Sequence, residues 1–104
     1  MARKPQSGPA SDPEILILSS LAGGPKHGYA ILADIDAFAG GRMGAGTLYT
    51  AITRLVDKGW IAPEAAAGRQ RPYRLTAAGA SCLEAFLKNM RRVAKIGLGR
   101  LRLA

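Results

Sequence analysis

Thiol and imidazole are nearly missing from this chain. A single cysteine, Cys82, excludes an internal disulfide and fits a reducing compartment, so a cytoplasmic location is expected. One histidine, His27, and one distant thiol do not make a metal-ligand set, and no motif for a cofactor is present. His27 falls at a helix start, where hydrogen bonding within its own turn is its expected role. Cys82 has two readings, a small buried hydrophobe or a redox-sensing thiol among nearby cations. Long apolar runs are missing too. Ile15 to Leu18 falls far short of the roughly 20 residues of a membrane span. The polar N-terminus, broken by Pro5 and Pro9, has no secretory apolar stretch, so no membrane association is expected. Acid is scarce: seven Asp/Glu face 15 Lys/Arg, a formal charge of +8. Such a balance points to an anionic partner, with nucleic acid ahead of acidic lipid or acidic protein. No nucleophile–base pair, carboxylate pair or phosphate loop stands out, so an enzyme is not expected. At 104 residues the chain is one folding unit with a small core.

What is present is helical period, interrupted once by strand period. Residues 1–10, with Arg3, Lys4 and two prolines, read as a disordered basic tail. Ser11-Asp12-Pro13-Glu14 reads as a capping box, with Glu14 reaching back to Ser11 and Pro13 in the first turn. The helix it opens is apolar on nearly every side and ends at Gly23-Gly24-Pro25. A second helix runs from about Lys26 or His27 to Phe38, with Tyr29, Leu32, Ile35 and Phe38 as its stripe, Ile31 beside it, and Asp34 and Asp36 toward water. Arg42 and Met43 are compatible with a short strand. The Gly-rich connection around Gly44 then leads to a third helix, as a helix-turn-helix requires.

That third helix, Gly46 to Gly59, is the centre of the reading. Leu48, Ile52, Leu55 and Val56 fall at i, i+4, i+7 and i+8, one apolar face. Thr47, Thr50, Ala51, Arg54 and Lys58 form the other. Short hydroxyls, a methyl and two cations suit entry into a DNA major groove. An ordinary surface helix would look similar, and the chain around it decides. Trp60-Ile61-Ala62 and Arg71 to Leu75 read as two strands of a hairpin around a loop from Ala65 to Gln70. Pro72 places the second strand at an edge or bulge. Arg69, Arg71 and Arg74 along this hairpin make it a DNA-gripping wing; the bland alternative is an edge kept soluble by charge. Thr76 caps a last helix whose Leu83, Phe86, Leu87, Met90, Val93, Ala94 and Leu101 hold one stripe. So long an apolar seam on so small a core implies dimerisation through another copy, with a membrane-surface helix as the lesser alternative. Gly97 and Gly99 are expected to let the end from Ile96 fray. The expected fold class is therefore mainly α with a small β-hairpin: a winged helix-turn-helix at 11–75 and a C-terminal dimerisation helix at 76–104.

Three segments carry a resemblance: LSSLAGGPKHGYAIL (18–32), GTLYTAITRLVDKGWI (46–61) and GRQRPYRLTAAG (68–79). In that order and spacing the chain resembles the PadR family of bacterial transcriptional regulators. It departs from the family pattern at Gly44-Ala45, where Ser or Asn is common, at Val56, where an acid is common, and at Pro72, where an aromatic is common. The resemblance implies a homodimeric DNA-binding repressor on a palindromic operator. It also implies that Tyr49 and Arg54 reach DNA from the third helix, that Gly68–Thr76 forms the wing, and that dimerisation uses the single C-terminal helix. A small aromatic or hydrophobic effector near the dimer interface is implied as well. The alternative is a winged-helix module for protein or RNA contact without sequence-specific DNA binding.

Overall fold

The computed structural model describes residues 12–40, 43–65 and 71–103. The basic tail, Ser11, Arg42 and Arg69 lie outside the described residues. Among the described residues, four helices and one hairpin follow in the order α1 (Asp12–Leu21), α2 (Gly28–Ala39), α3 (Ala45–Lys58), β1 (Ile61–Pro63), β2 (Tyr73–Leu75), α4 (Ala77–Leu103). The fold class is the one the periodicity implied, a mainly helical chain with a two-stranded antiparallel hairpin.

The core is where α1, α2 and α3 meet. Ile17, Leu18 and Leu21 come from α1, Ile31 and Ile35 from α2, and Leu48, Ala51, Ile52 and Leu55 from α3. Ile61 of β1 and Leu83 of α4 close it. On α3 the expected apolar face is the buried one, extended by Ala51, which the sequence placed on the polar side. On α2 the stripe is rotated. Ile31 and Ile35 are fully buried while Tyr29 is 75% and Phe38 50% exposed. Both stripes repeat at helical spacing, so period alone does not choose between them; packing against α1 does.

Asp34 does not simply face water. It accepts a hydrogen bond from the buried Ser20 hydroxyl at 2.6 Å, and the Lys26 ammonium lies 3.9 Å away. Lys26 also donates to the Ser20 carbonyl at 2.6 Å, tying the α1–α2 turn to α2. Glu14 is 2% exposed in its side chain and accepts from Lys58 Nζ at 2.9 Å; the residue it was expected to cap with, Ser11, lies outside the described residues. Two charges this deeply buried hold one another in place; removing the ammonium or the carboxylate alone typically costs about 3–5 kcal/mol.

The hairpin has register Ile61↔Leu75, Ala62↔Arg74 and Pro63↔Tyr73. Trp60 lies before the strand rather than in it. Met43 is irregular rather than extended. Pro72 precedes β2, and its carbonyl accepts the Glu64 N–H at 2.7 Å. A further pairing was not legible in the sequence: Lys26 and Tyr73 exchange both backbone hydrogen bonds, at 3.1 and 2.9 Å. The loop between α1 and α2 thereby holds the outer side of β2.

Thr76 caps α4 as expected, its Oγ1 accepting the Gly79 N–H at 3.0 Å. The helix then continues unbroken to Leu103, through both Gly97 and Gly99. Its 27 residues amount to about 40 Å of rise. Its N-terminal part packs on the body, through Leu83 in the core.

Candidate nucleic-acid interface

α3 reaches its position because its two faces differ. Its apolar side is locked into the core, so the opposite side must face outward. Thr47, Thr50 and Arg54 are exposed and, with Pro13, Gly46 and Ala51, surround an open groove of about 470 Å³. The N-terminal residue before the helix, Gly44, makes no side-chain cap. The first-turn N–H groups of α3 therefore keep donor capacity at the positive end of the helix dipole, an arrangement suited to an anion.

Tyr49 is half exposed and turned toward α2, where its ring lies over Gly28. A Cβ at Gly28 would stand 2.8 Å from Tyr49 Cζ, so only glycine leaves room for that ring. His27 occupies the N-cap of α2 without a side-chain cap hydrogen bond, contrary to the role expected for it. Thr53 donates back to the Tyr49 carbonyl at 3.0 Å.

Lys58 is not on the exposed face. Its side chain is 4% exposed, paired with Glu14, and lies 4.5 Å over the Trp60 ring. Lys58 stands four residues after Arg54 on a wheel, but at that turn its side chain reaches Glu14 of α1 instead of solvent. Two residues were missed on the open face, Thr53 and Asp57, both exposed. Their spacing from Thr50 was readable: Thr53 stands three residues on and Asp57 seven. Asp57 puts a negative charge at the C-terminal end of the open face. Cationic and hydroxyl groups therefore concentrate in the N-terminal two thirds of α3.

Gly59 turns the chain out of α3 with φ of +79°, a left-handed conformation that favours glycine, and its N–H closes the helix on the Val56 carbonyl. Arg71 and Arg74 of the hairpin are exposed. Arg74 projects between half-buried Tyr73 and Leu75, the alternation expected of a strand with one wet face.

On α4, Leu87, Met90 and Val93 are 41–59% exposed, Ala94 is exposed and Phe86 half-buried. Leu83 differs: it is 6% exposed and belongs to this subunit's own core. Ile96, Leu98 and Leu101 continue the exposed apolar surface, and the first two were missed. Exposed apolar area on this scale marks an interface. Cys82 is half-buried near the start of α4. No described helix is long and apolar enough to cross a membrane.

Three core helices, a hairpin entered straight from the third and a polar face of that helix held outward define a winged helix-turn-helix protein of the DNA-binding class. Residues 17–85 match the model of the transcriptional regulator PadR-like family. The chain belongs to that family, one of transcription regulators rather than enzymes. It is 46% identical over 83 residues to an uncharacterized 37.1 kDa protein in transposon TN4556 of Streptomyces fradiae, covering 80% of this chain and 24% of that protein. The chain thus spans about a quarter of the length of the curated relative it matches. Among solved structures it is similar to a PadR family transcription regulator of Clostridium difficile R20291. There the TM-score is 0.76 at 28% identity, over 88% of this chain and 99% of that one. A padr family transcriptional regulator of Eggerthella lenta DSM 2243 gives a TM-score of 0.69 at 32% identity, over 85% and 79% of the two chains.

Proposed function

We propose that this chain is a sequence-specific transcriptional repressor that binds a palindromic operator as a homodimer in the cytoplasm. The observation that carries the reading is the outward face of α3. Thr47, Thr50 and Arg54 surround one open groove while the opposite side of the same helix is core. In this reading Arg54 contacts a guanine edge and Tyr49 donates its hydroxyl to a phosphate. Arg69, Arg71 and Arg74 grip the backbone from the wing. Residues 12–75 read DNA, and Phe86, Leu87, Met90, Val93 and Ala94 of α4 bury themselves against a second copy. A small hydrophobic effector relieves repression from the groove of about 360 Å³ between the α1–α2 turn, β2 and α4, lined by Ala22, Leu75, Leu83 and Leu87 among others.

The test is a titration of wild type, Arg54→Ala and Arg71→Ala on the duplex upstream of the chain's own gene, a scrambled duplex and single strands, at several salt concentrations. Arg54→Ala should cost about 1–3 kcal/mol on the operator and relax preference at one position per half-site. Arg71→Ala should weaken all duplexes alike and lower the salt slope by about one. Half-sites about one helical turn apart make a five-base-pair insertion abolish tight binding. Equal losses on both duplexes for Arg54→Ala would reduce it to a phosphate contact. Preference for single strands would replace the mechanism with RNA binding.

A further inference from the structure

Both α1 and the start of α4 hold Lys58-Gly59-Trp60, where α3 ends and the chain passes to the hairpin. From one side α1 sends Glu14, whose carboxylate accepts from Lys58 Nζ at 2.9 Å, with both side chains almost wholly buried. The same ammonium lies 4.5 Å over the Trp60 ring at the root of β1. From the other side comes the start of α4. Thr76 Oγ1 donates to the Gly59 carbonyl at 2.7 Å while accepting the Gly79 N–H, and the Thr76 N–H donates to the Trp60 carbonyl at 3.0 Å. Gly79 lies so close that a Cβ there would stand 2.8 Å from the Trp60 carbonyl carbon.

We infer that Glu14 and Lys58, with the Thr76 cap opposite them, form a clamp that sets the angle of α3 and the hairpin to α4. In that role they are positioning residues for DNA reading and do not touch DNA. The inference rests on the DNA-reading proposal above and reassigns Lys58 within it. Its logic is geometric. In a dimer joined through α4, the two recognition helices can fall on two half-sites only if each is held at a fixed angle to its own α4. Lys58-Gly59-Trp60 is where that angle is set, because a hydrogen bond from Lys58 to α1 and two from Thr76 of the α4 cap tie this segment to both elements. A buried ion pair resists rotation about this joint because separating the two charges leaves each buried without its counter-charge.

A phosphate-contacting lysine and a positioning lysine behave oppositely when Glu14 is altered. Were Lys58 a phosphate contact, Glu14→Gln would free it and leave duplex affinity equal or higher, and Lys58→Met would lower the salt slope by about one. The clamp gives different results. Glu14→Gln and Lys58→Met both weaken operator binding, by roughly 2- to 30-fold as for mutations that act through a coupled element, with the salt slope unchanged. Glu14→Met/Lys58→Met, which removes both buried charges, binds more tightly than either single variant. Thr76→Val, on the other side of the joint, repeats the single-variant phenotype and serves where the charge variants fold poorly. Trp60 fluorescence supplies a readout that needs no DNA: its emission shifts in both single charge variants. A wild type that binds no duplex would overturn the DNA reading while the Trp60 emission still reports on the clamp. Unchanged emission in both single variants, or a higher duplex affinity for Glu14→Gln, overturns the clamp.

Discussion

Gly79 and Gly99 sit in the same helix, and exchanging each for alanine should have unequal effects. At an open helical position, Gly→Ala gains about 1 kcal/mol, from lower unfolded-chain entropy and better helix propensity. Gly99 is such a position: a Cβ there has no heavy atom within 4 Å. Gly79 is not. Its Cβ would stand 2.8 Å from the Trp60 carbonyl carbon and 3.0 Å from Trp60 Cα. Those atoms are backbone, fixed by the Thr76 N–H and by the helix-closing bond from the Trp60 N–H to the Leu55 carbonyl. They cannot swing aside as a side chain would, so the first turn of α4 must lift off the body. Overpacking of this kind costs about 1–3 kcal/mol. The propensity gain is common to both variants, so their stabilities should differ by about 1–3 kcal/mol. Near the transition of a domain this size, that is a gap of roughly 4–8 °C per kcal/mol. Thermal melts followed by circular dichroism, at one fixed protein concentration because association shifts the midpoint, measure it. Gly99→Ala should melt above wild type and Gly79→Ala below Gly99→Ala. Equal increases for both would refute the close approach of α4 to Trp60.

Leu87→Asp places a charge in the exposed apolar surface of α4 and should yield monomers or aggregate; an unchanged dimer mass in sedimentation would remove Leu87 from the seam. Gly28→Ala displaces the half-exposed Tyr49 ring rather than backbone, so it should change the melting temperature little while weakening duplex binding; equal binding by wild type and variant would detach Tyr49 from DNA contact. Planar aromatic compounds should raise the melting temperature and lower duplex affinity if the groove beside α4 takes an effector; a library with no effect on either would remove ligand control.

Much of this molecule is legible without coordinates. Leu48, Ile52 and Leu55 recur at helical spacing, and one such face has one place to go, into a core; that alone turns Thr47, Thr50 and Arg54 outward. Tyr73-Arg74-Leu75 alternates at strand period, and Thr76 stands where a helix must start. Local chemistry also marks Gly59 as an exit from α3. Tertiary packing decided the rest. Tyr29–Phe38 and Ile31–Ile35 are both good helical stripes, and contact with α1 chose the second. Leu83 and Leu87 share a stripe, yet the first is core and the second is exposed, because only packing against the body decides which turns of α4 are covered. Lys58 shows the limit most clearly. Next to Arg54 on a helical wheel it reads as a second cation for DNA, while Glu14, 44 residues earlier in the chain, reads as half of a local cap. A sequence pattern reports which side of an element a residue lies on. Which distant charge meets it there depends on how the elements pack, and that packing turned two apparent surface charges into one buried pair.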